Sequence, residues 1–161
     1  SVSPDYSGYY LMGIYGTAAG TKGLNPSQVV DPVGTANAGL LETQCLGALS
    51  TTLKTALSAA GKTSLVSTNP LSIPEWKAAL TATVAGQQLI GAPILVVQGK
   101  NDTTVPAVTT QALVRRMCGK NKVQYVEYDN TGHGDALVSG DRDIRAFIAN
   151  RLSGAAFTPA C

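Results

Sequence analysis

The chain has 161 residues, of which 44% are hydrophobic and 14% are charged, and its formal net charge is +2. These values are typical of a globular protein with a substantial core, and they exclude an intrinsically disordered chain. The basic residues are scattered and lack interleaved aromatic residues, so no nucleic-acid partner is expected. The apolar stretches are too short to predict a membrane span.

Residues 1–91 are predicted to form helices and loops. The stretch "SPDYSGYYLMGIYGTAAG" predicts a helix that is apolar on nearly every side and therefore buried, with internal glycines that suggest a closely packed neighbour. Leucines at helical spacing predict a long amphipathic helix from Ala36 to Ala60. A further helix is predicted to begin at Pro74 and to continue through "EWKAALTATVAGQQL".

Residues 92–154 are predicted to alternate between strands and helices. The run "ILVVQG" predicts a central parallel strand that is buried on both faces. A helix follows Pro106, "KVQYVEYDN" predicts a second strand, and "GDRDIRAFIANRLSG" predicts a last helix. This order predicts a doubly wound α/β sheet. The last helix has one apolar face, which comprises Ile144, Phe147, Ile148 and Leu152.

An acidic residue and the sole histidine each follow one of these predicted strands. Asp102 comes after "ILVVQG", and His133 comes after the second strand. Because the carboxyl ends of parallel strands meet at one edge of a sheet, we expect the two side chains to lie together. A carboxylate that accepts the Nδ1 proton of the imidazole leaves Nε2 free to take a proton from a nucleophile. Gly132 and Gly134 flank the histidine and are expected to let its loop turn sharply.

Three alternatives compete with this pair. Asp102 could cap a turn before the next helix, and His133 could be an ordinary loop residue. Asp129 and Asp135 are rivals for the acid, although each lies too near the histidine in sequence to need the first strand's loop. A metal site built from His133, Asp129 and Asp135 has one histidine and no second ligand cluster, so no metal is expected.

The three cysteines do not fit a zinc site, and they cannot all be paired within the chain. Cys45, Cys118 and Cys161 form no C-x-x-C pair, and one histidine cannot complete a usual zinc site. An odd number of cysteines leaves one of them without an internal partner.

The two loops resemble those of a known family, the α/β-hydrolases. "PILVVQGKNDTTVP" resembles the acid loop of that family, and "TGHGD" resembles its histidine loop. More narrowly, the chain is similar to secreted lipases of the Candida antarctica lipase A type and their actinobacterial relatives. Its segment "ETQCLGAL" resembles the cap segment of that group that carries a cysteine. This resemblance implies the C-terminal part of an α/β-hydrolase sheet preceded by a helical cap. Residues 1–91 would form a core helix and the cap or lid, and residues 92–161 would form the C-terminal hydrolase portion.

The resemblance also implies an activity and a compartment. It implies a secreted carboxylic-ester hydrolase, a lipase or esterase, in which His133 is the general base and acid and Asp102 orients it. No cofactor is implied, and the substrate would be an ester or a lipid. "MCGKN" and the terminal "PAC" resemble the family's C-terminal cysteine pair, which implies a disulfide between Cys118 and Cys161. Apolar cap residues would lie over the acyl site or simply form core: Leu46, Leu49, Leu53, Trp76 and Leu80.

One departure from the family pattern is large. The family's nucleophile stands in G-x-S-x-G before the acid, and here even the nearest match, Ser7, has Asp5 where the first glycine belongs. The expected partner is therefore the N-terminal half of the same hydrolase, carrying the serine, and the chain alone is expected to be inactive. The alternatives are another acyl hydrolase such as a peptidase, or a non-catalytic secreted fragment with a binding or assembly role.

Overall fold

A computed structural model describes residues 2–159 and residue 161. The chain divides into two compact units, one that ends at Thr83 and one that begins at Val84. The predicted boundary between residues 91 and 92 separates a cap from a hydrolase portion by resemblance alone, and it stays a prediction.

The N-terminal unit consists of helices and turns. Short 3-10 turns connect its four α-helices, and Pro32 and Pro74 stand at the first positions of two of them, where a missing N–H costs nothing. One isolated antiparallel bridge joins Val30 and Val66. The helices are α1 (Ser7–Gly20), α2 (Pro32–Ala36), α3 (Leu46–Ala59) and α4 (Pro74–Ala82).

The core of this unit forms between α1 and α3. Leucines at helical spacing on α3 face Leu11 and Ile14 of α1, and fully buried side chains surround them. Trp76 is fully buried as well, and its indole Nε1 donates to the side-chain oxygen of Gln28 at 3.0 Å, so the one polar atom of the ring is paired. The central buried residues are Leu49, Leu53, Leu57, Leu65, Val29 and Val30.

Two expectations for α1 and its glycines need correction. The helix is not buried all round, because Tyr9 and Met12 lie on an exposed side. Only Gly8 approaches a neighbour closely, and a Cβ there would collide with Ser50 on α3. The later glycines of α1, Gly13 among them, have open space instead. The apolar segment correctly predicted a helix, but it did not identify which side of that helix is buried.

The long helix predicted from Ala36 to Ala60 is also wrong in extent. A 3-10 turn covers Ala38–Glu42, and Cys45 has an extended backbone (ψ 158°), so the regular helix begins only at Leu46. The helix predicted from Pro74 onward ends at Ala82. Helical spacing of leucines holds over the part of the chain that packs against α1, and the flanking residues follow tighter turns.

The C-terminal unit has the predicted order of strand, helix, strand, helix. Its elements are β1 (Ile94–Gly99), α5 (Ala107–Cys118), β2 (Val123–Tyr128) and α6 (Ala136–Leu152). The strands are parallel, with Ile94 opposite Val123 and Gly99 opposite Tyr128. Parallel pairing with a helical crossover confirms the α/β character of this part of the chain.

Helices cover both faces of the strand pair. Val114 and Met117 of α5 pack on Val123, with Ile94 and Val96 at the margin of the cluster. Alternation along β2 turns Tyr128 to the opposite face, where its hydroxyl donates to Asp143 of α6 at 2.9 Å.

The last helix differs from expectation in two ways. It begins at Ala136, ahead of the predicted "GDRD" start. Its predicted apolar face is partly open to solvent, because Ile148 is 51% exposed and Leu152 is 84% exposed. No helix in the described residues is long and apolar enough to cross a lipid bilayer.

Candidate functional site

The site lies at the carboxyl ends of β1 and β2, inside the C-terminal unit. The loop after β1 carries Asp102, and the loop after β2 carries His133. Nδ1 of the imidazole lies 2.8 Å from Oδ2 of the carboxylate. The two residues are 31 positions apart in sequence, and the parallel pairing of the strands brings them together.

The two loops are fastened to each other by backbone hydrogen bonds. The amide of Lys100 donates to the carbonyl of Tyr128 at 2.9 Å, and the amide of Asn101 donates to the carbonyl of Thr131 at 3.0 Å. The hydroxyl of Thr131 lies 3.1 Å from that of Ser139 on α6. These contacts continue the strand pairing into the loops and limit the movement of the histidine relative to the acid.

Glycine is needed at the end of β1 rather than beside the histidine. A Cβ at Gly99 would collide with the carbonyl oxygen of Thr131 and would lie 2.8 Å from that of Gly132. The loop turns at residues 133–135, but neither Gly132 nor Gly134 has a left-handed φ, so the turn does not use the conformation that glycine alone adopts readily. The left-handed residue of the loop is Asn130, with φ 53°, a conformation that asparagine tolerates better than most residues.

The Asp102 carboxylate is buried and fully engaged. The residue is 8% exposed, and its Oδ1 accepts hydrogen bonds from the amides of Thr104 (2.9 Å) and Val105 (2.8 Å). Burial opposes ionisation of the carboxyl group. The hydrogen bonds from Val105, His133 and Thr104 outweigh it and hold the pKa of Asp102 below its usual value. The acid is therefore held as the anion that a histidine partner requires.

The imidazole is oriented on one side and free on the other. Because an ionised carboxylate can only accept, Nδ1 carries the proton in the neutral ring and Nε2 is left as the acceptor. The side chain of His133 is 56% exposed, and Nε2 makes no hydrogen bond to any of the residues described. The pair can therefore take a proton from a group that approaches Nε2.

Neither rival acid hydrogen-bonds to the imidazole in the part of the chain that the structure describes. Asp129 forms an ion pair with Lys100, with Oδ1 2.8 Å from the ammonium group, and it lies on the exposed side of the loop. Asp135 stands at the start of α6. Across residues 2–159 and 161, no group of three acidic, histidine or cysteine side chains is arranged to hold a metal ion. Of the three candidate acids, Asp102 is the one that the structure brings into contact with the imidazole.

The cysteines are paired as the family resemblance implied. Cys118 at the end of α5 is joined to Cys161 by a disulfide, and Cys45 is free and exposed. The bond connects the last residue of the chain to the helix that packs on β1.

Sequence reasoning missed two residues beside the acid. Gln98 is 5% exposed, and its amide nitrogen lies 3.3 Å from Oδ2 of Asp102. Thr110 of α5 donates its hydroxyl proton to the Gln98 side-chain oxygen at 2.6 Å. A signal was present, since a glutamine inside the apolar run "ILVVQG" has to be paired when it is buried.

Of the comparisons with known proteins, one with family sequence models gives a match. The family sequence model described as "TAP-like protein", one of the α/β-hydrolase families, matches residues 63–152, which is more than half of the chain and includes both loops. No curated protein and no solved structure matches the chain.

Proposed function

This chain belongs to the TAP-like family of α/β-hydrolases, and from that premise we propose that it supplies the base and the acid of a Ser-His-Asp triad. The proposed enzyme is a carboxylic-ester hydrolase, a lipase or an esterase. The observation that carries the proposal is the 2.8 Å contact between His133 Nδ1 and the buried Asp102, with Nε2 making no hydrogen bond to the residues that the structure describes.

In the proposed reaction, a serine hydroxyl attacks the ester carbonyl while His133 Nε2 removes its proton. The imidazolium then donates that proton to the leaving alkoxide, which gives an acyl-enzyme and an alcohol. In the second half, His133 activates water, and the acid product and the free serine are released. Asp102 stays ionised throughout and stabilises the imidazolium.

The serine is proposed to come from the N-terminal half of the same hydrolase. Two features of the C-terminal unit support a partner that packs against it. In the described residues β1 pairs with a single strand, and parallel sheets of two strands are rare in globular proteins. Leu137 and Val138 near the histidine loop are 69% and 78% exposed. A larger sheet with its helices would cover both the free edge of β1 and these two apolar side chains.

Secretion and an ester or lipid substrate are proposed from the resemblance to secreted lipases. A Cys118–Cys161 disulfide is compatible with an oxidising compartment, which is where such bonds persist. The apolar residues of the expected cap do not identify an acyl site. Leu49, Leu53 and Trp76 are fully buried in the core of the N-terminal unit.

The decisive experiment supplies the missing nucleophile. Intact-mass and N-terminal analysis of the natural protein would first show which G-x-S-x-G segment accompanies this chain. That segment is then combined with the 161-residue chain, and hydrolysis of p-nitrophenyl butyrate is measured. We expect turnover only when both parts are present, and we expect His133→Ala to abolish it.

Three other outcomes would redirect the proposal. Hydrolysis by the chain alone, lost in His133→Ala, would place a nucleophile within residues 1–161. Cleavage of peptide p-nitroanilides without ester hydrolysis would favour a peptidase. A stable monomer that stays inert with every candidate partner would favour a binding or assembly role.

A further inference from the structure

Gln98 is the polar residue of β1, and its side chain is buried beside the acid. Its amide group faces three oxygens: the carbonyl of Gly99 at 2.8 Å, the carbonyl of Val105 at 3.2 Å and Oδ2 of Asp102 at 3.3 Å. An amide that is removed from water costs free energy unless it is hydrogen-bonded. These hydrogen bonds compensate for the lost contact with water, and they connect the end of the strand with the far side of the acid loop.

The orientation of this amide follows from the groups around it, and Thr110 holds its oxygen. The Thr110 side chain, 8% exposed, donates its hydroxyl proton to Oε1 of Gln98 at 2.6 Å. With the amide turned over, Oε1 would face two carbonyls and a carboxylate, all of which are acceptors. The three acceptors therefore select the orientation in which Nε2 points to Asp102, and the threonine hydroxyl holds Oε1 in that orientation.

The two carboxylate oxygens are held by different groups. Backbone amides of the acid loop hold Oδ1, whereas Oδ2 receives donors from two side chains, His133 and Gln98. Rotation of the carboxylate about its Cβ–Cγ bond would move both oxygens at once and carry Oδ2 away from the imidazole. The glutamine donor opposes that rotation from the buried side.

We infer that Gln98 and Thr110 are positioning residues, which act through Asp102 to hold the neutral His133 ring with its proton on Nδ1. The catalytic meaning of this inference rests on the proposed function. Its structural content concerns the acid–imidazole pair alone, so it can be tested on the isolated chain without any esterase activity.

The test uses the fact that the chain contains one histidine. In a ¹⁵N-labelled sample, long-range ¹H–¹⁵N spectra of the imidazole therefore come from His133 alone, and they report which ring nitrogen carries the proton. Spectra are recorded at about pH 9, where ordinary histidine side chains are neutral. The unmodified chain should show the Nδ1–H tautomer predominantly, although free imidazole side chains prefer Nε2–H.

Two variants each remove one of the two positioning residues. Gln98→Leu removes the donor to Oδ2, and Thr110→Val keeps the shape of the threonine while removing the hydroxyl that holds the glutamine side-chain oxygen. Each should lower the ratio of Nδ1–H to Nε2–H roughly five-fold, the size expected for the loss of one hydrogen bond. Thr110→Ser, which restores the hydroxyl, should return the ratio to that of the unmodified chain.

Gln111 provides a matched control. It is a glutamine in the same region that donates to a carboxylate, Glu127, at 2.7 Å, but it makes no contact with the acid loop among the described residues. Gln111→Leu should leave the tautomer ratio unchanged. Backbone amide spectra show whether each variant is folded, and Thr110→Val decides the question if Gln98→Leu does not fold.

An unchanged ratio in a folded Thr110→Val chain would overturn the inference, as would an equal change in Gln111→Leu. Failure of the proposed function looks different. In that case the tautomer ratio changes as expected in the Gln98 and Thr110 variants, while the complemented chain hydrolyses no ester.

Discussion

The carbonyl oxygen of Thr131 lies against the Cα of Gly99, in the space that a Cβ atom would need. The histidine loop therefore passes over the end of β1 only because that position has no side chain. This contact determines how closely the two loops of the site approach, and it leads to the first prediction.

Gly99→Ala should destabilise the chain by about 1–3 kcal/mol, the usual cost of inserting a methyl group into a well-packed region. The added carbon has to displace backbone atoms of Thr131 and Gly132, which cannot rotate away as a side chain can. Urea unfolding measures the change. Gly134→Ala in the same loop has open space and should change stability by less than about 0.5 kcal/mol. Equal effects at both positions would contradict the prediction.

Asp102→Asn should reduce turnover of the complemented enzyme by about 10³–10⁴-fold. The backbone amides of Thr104 and Val105 keep the amide oxygen on their side, so the NH2 group faces Nδ1 and favours the tautomer with the proton on Nε2, which is then no longer free as the base. Initial rates with p-nitrophenyl butyrate measure the loss. Asp129→Asn serves as the control, because that residue pairs with Lys100 at the surface, and its rate should stay within a few-fold of normal. A nearly normal rate in Asp102→Asn, together with an inactive Asp129→Asn or Asp135→Asn, would reassign the acid.

The disulfide between Cys118 and Cys161 should contribute about 2–4 kcal/mol to stability, because it closes a long loop of 43 positions. Cys161→Ala should lower the free energy of unfolding by that amount. Cys45→Ala should change it by less than about 0.5 kcal/mol, since Cys45 is free and exposed. Peptide mapping without reduction identifies the pairing directly, and any linked peptide that contains Cys45 would show that the assignment is wrong.

Tyr10 should make the chain less stable at alkaline pH. Its hydroxyl donates to the carbonyl of Val29 at 2.8 Å, and burial raises its pKa to about 12. In the unfolded chain the phenol loses its proton near its ordinary pKa of 10, whereas the folded chain retains it. The stabilising contribution is therefore complete below pH 10 and is lost as the pH rises from 10 to 12.

Comparison with Tyr10→Phe isolates this effect from the other tyrosines. The phenylalanine variant should be less stable at neutral pH by about 1 kcal/mol, the usual value of one hydrogen bond. Above pH 10 its free energy of unfolding should fall less steeply than that of the unmodified chain, so that the difference between the two narrows. Urea unfolding over a series of pH values measures both. Parallel curves would mean that the hydroxyl is not protected in the folded state.

The sequence by itself determined the order of strand, helix, strand and helix from Ile94 onward. The continuous apolar run of β1 and the spacing of apolar residues along the helices carry that information locally. It also determined that Asp102 and His133 come after successive parallel strands and so reach one edge of the sheet. Those inferences need only neighbouring residues and one topological rule.

Only the tertiary structure decided how the acid is held and which sides of the helices are buried. Gln98 reaches Asp102 because the acid loop folds back over the end of β1, and Thr110 arrives from the following helix. The exposed side of α1 depends on where α3 packs, and no periodicity could identify it in a helix that is apolar on almost every side. The need for glycine at position 99 arises from a loop more than 30 residues away. The Gly99 contact exists only once the two strands have paired, and the others depend on how the elements of each unit pack against one another.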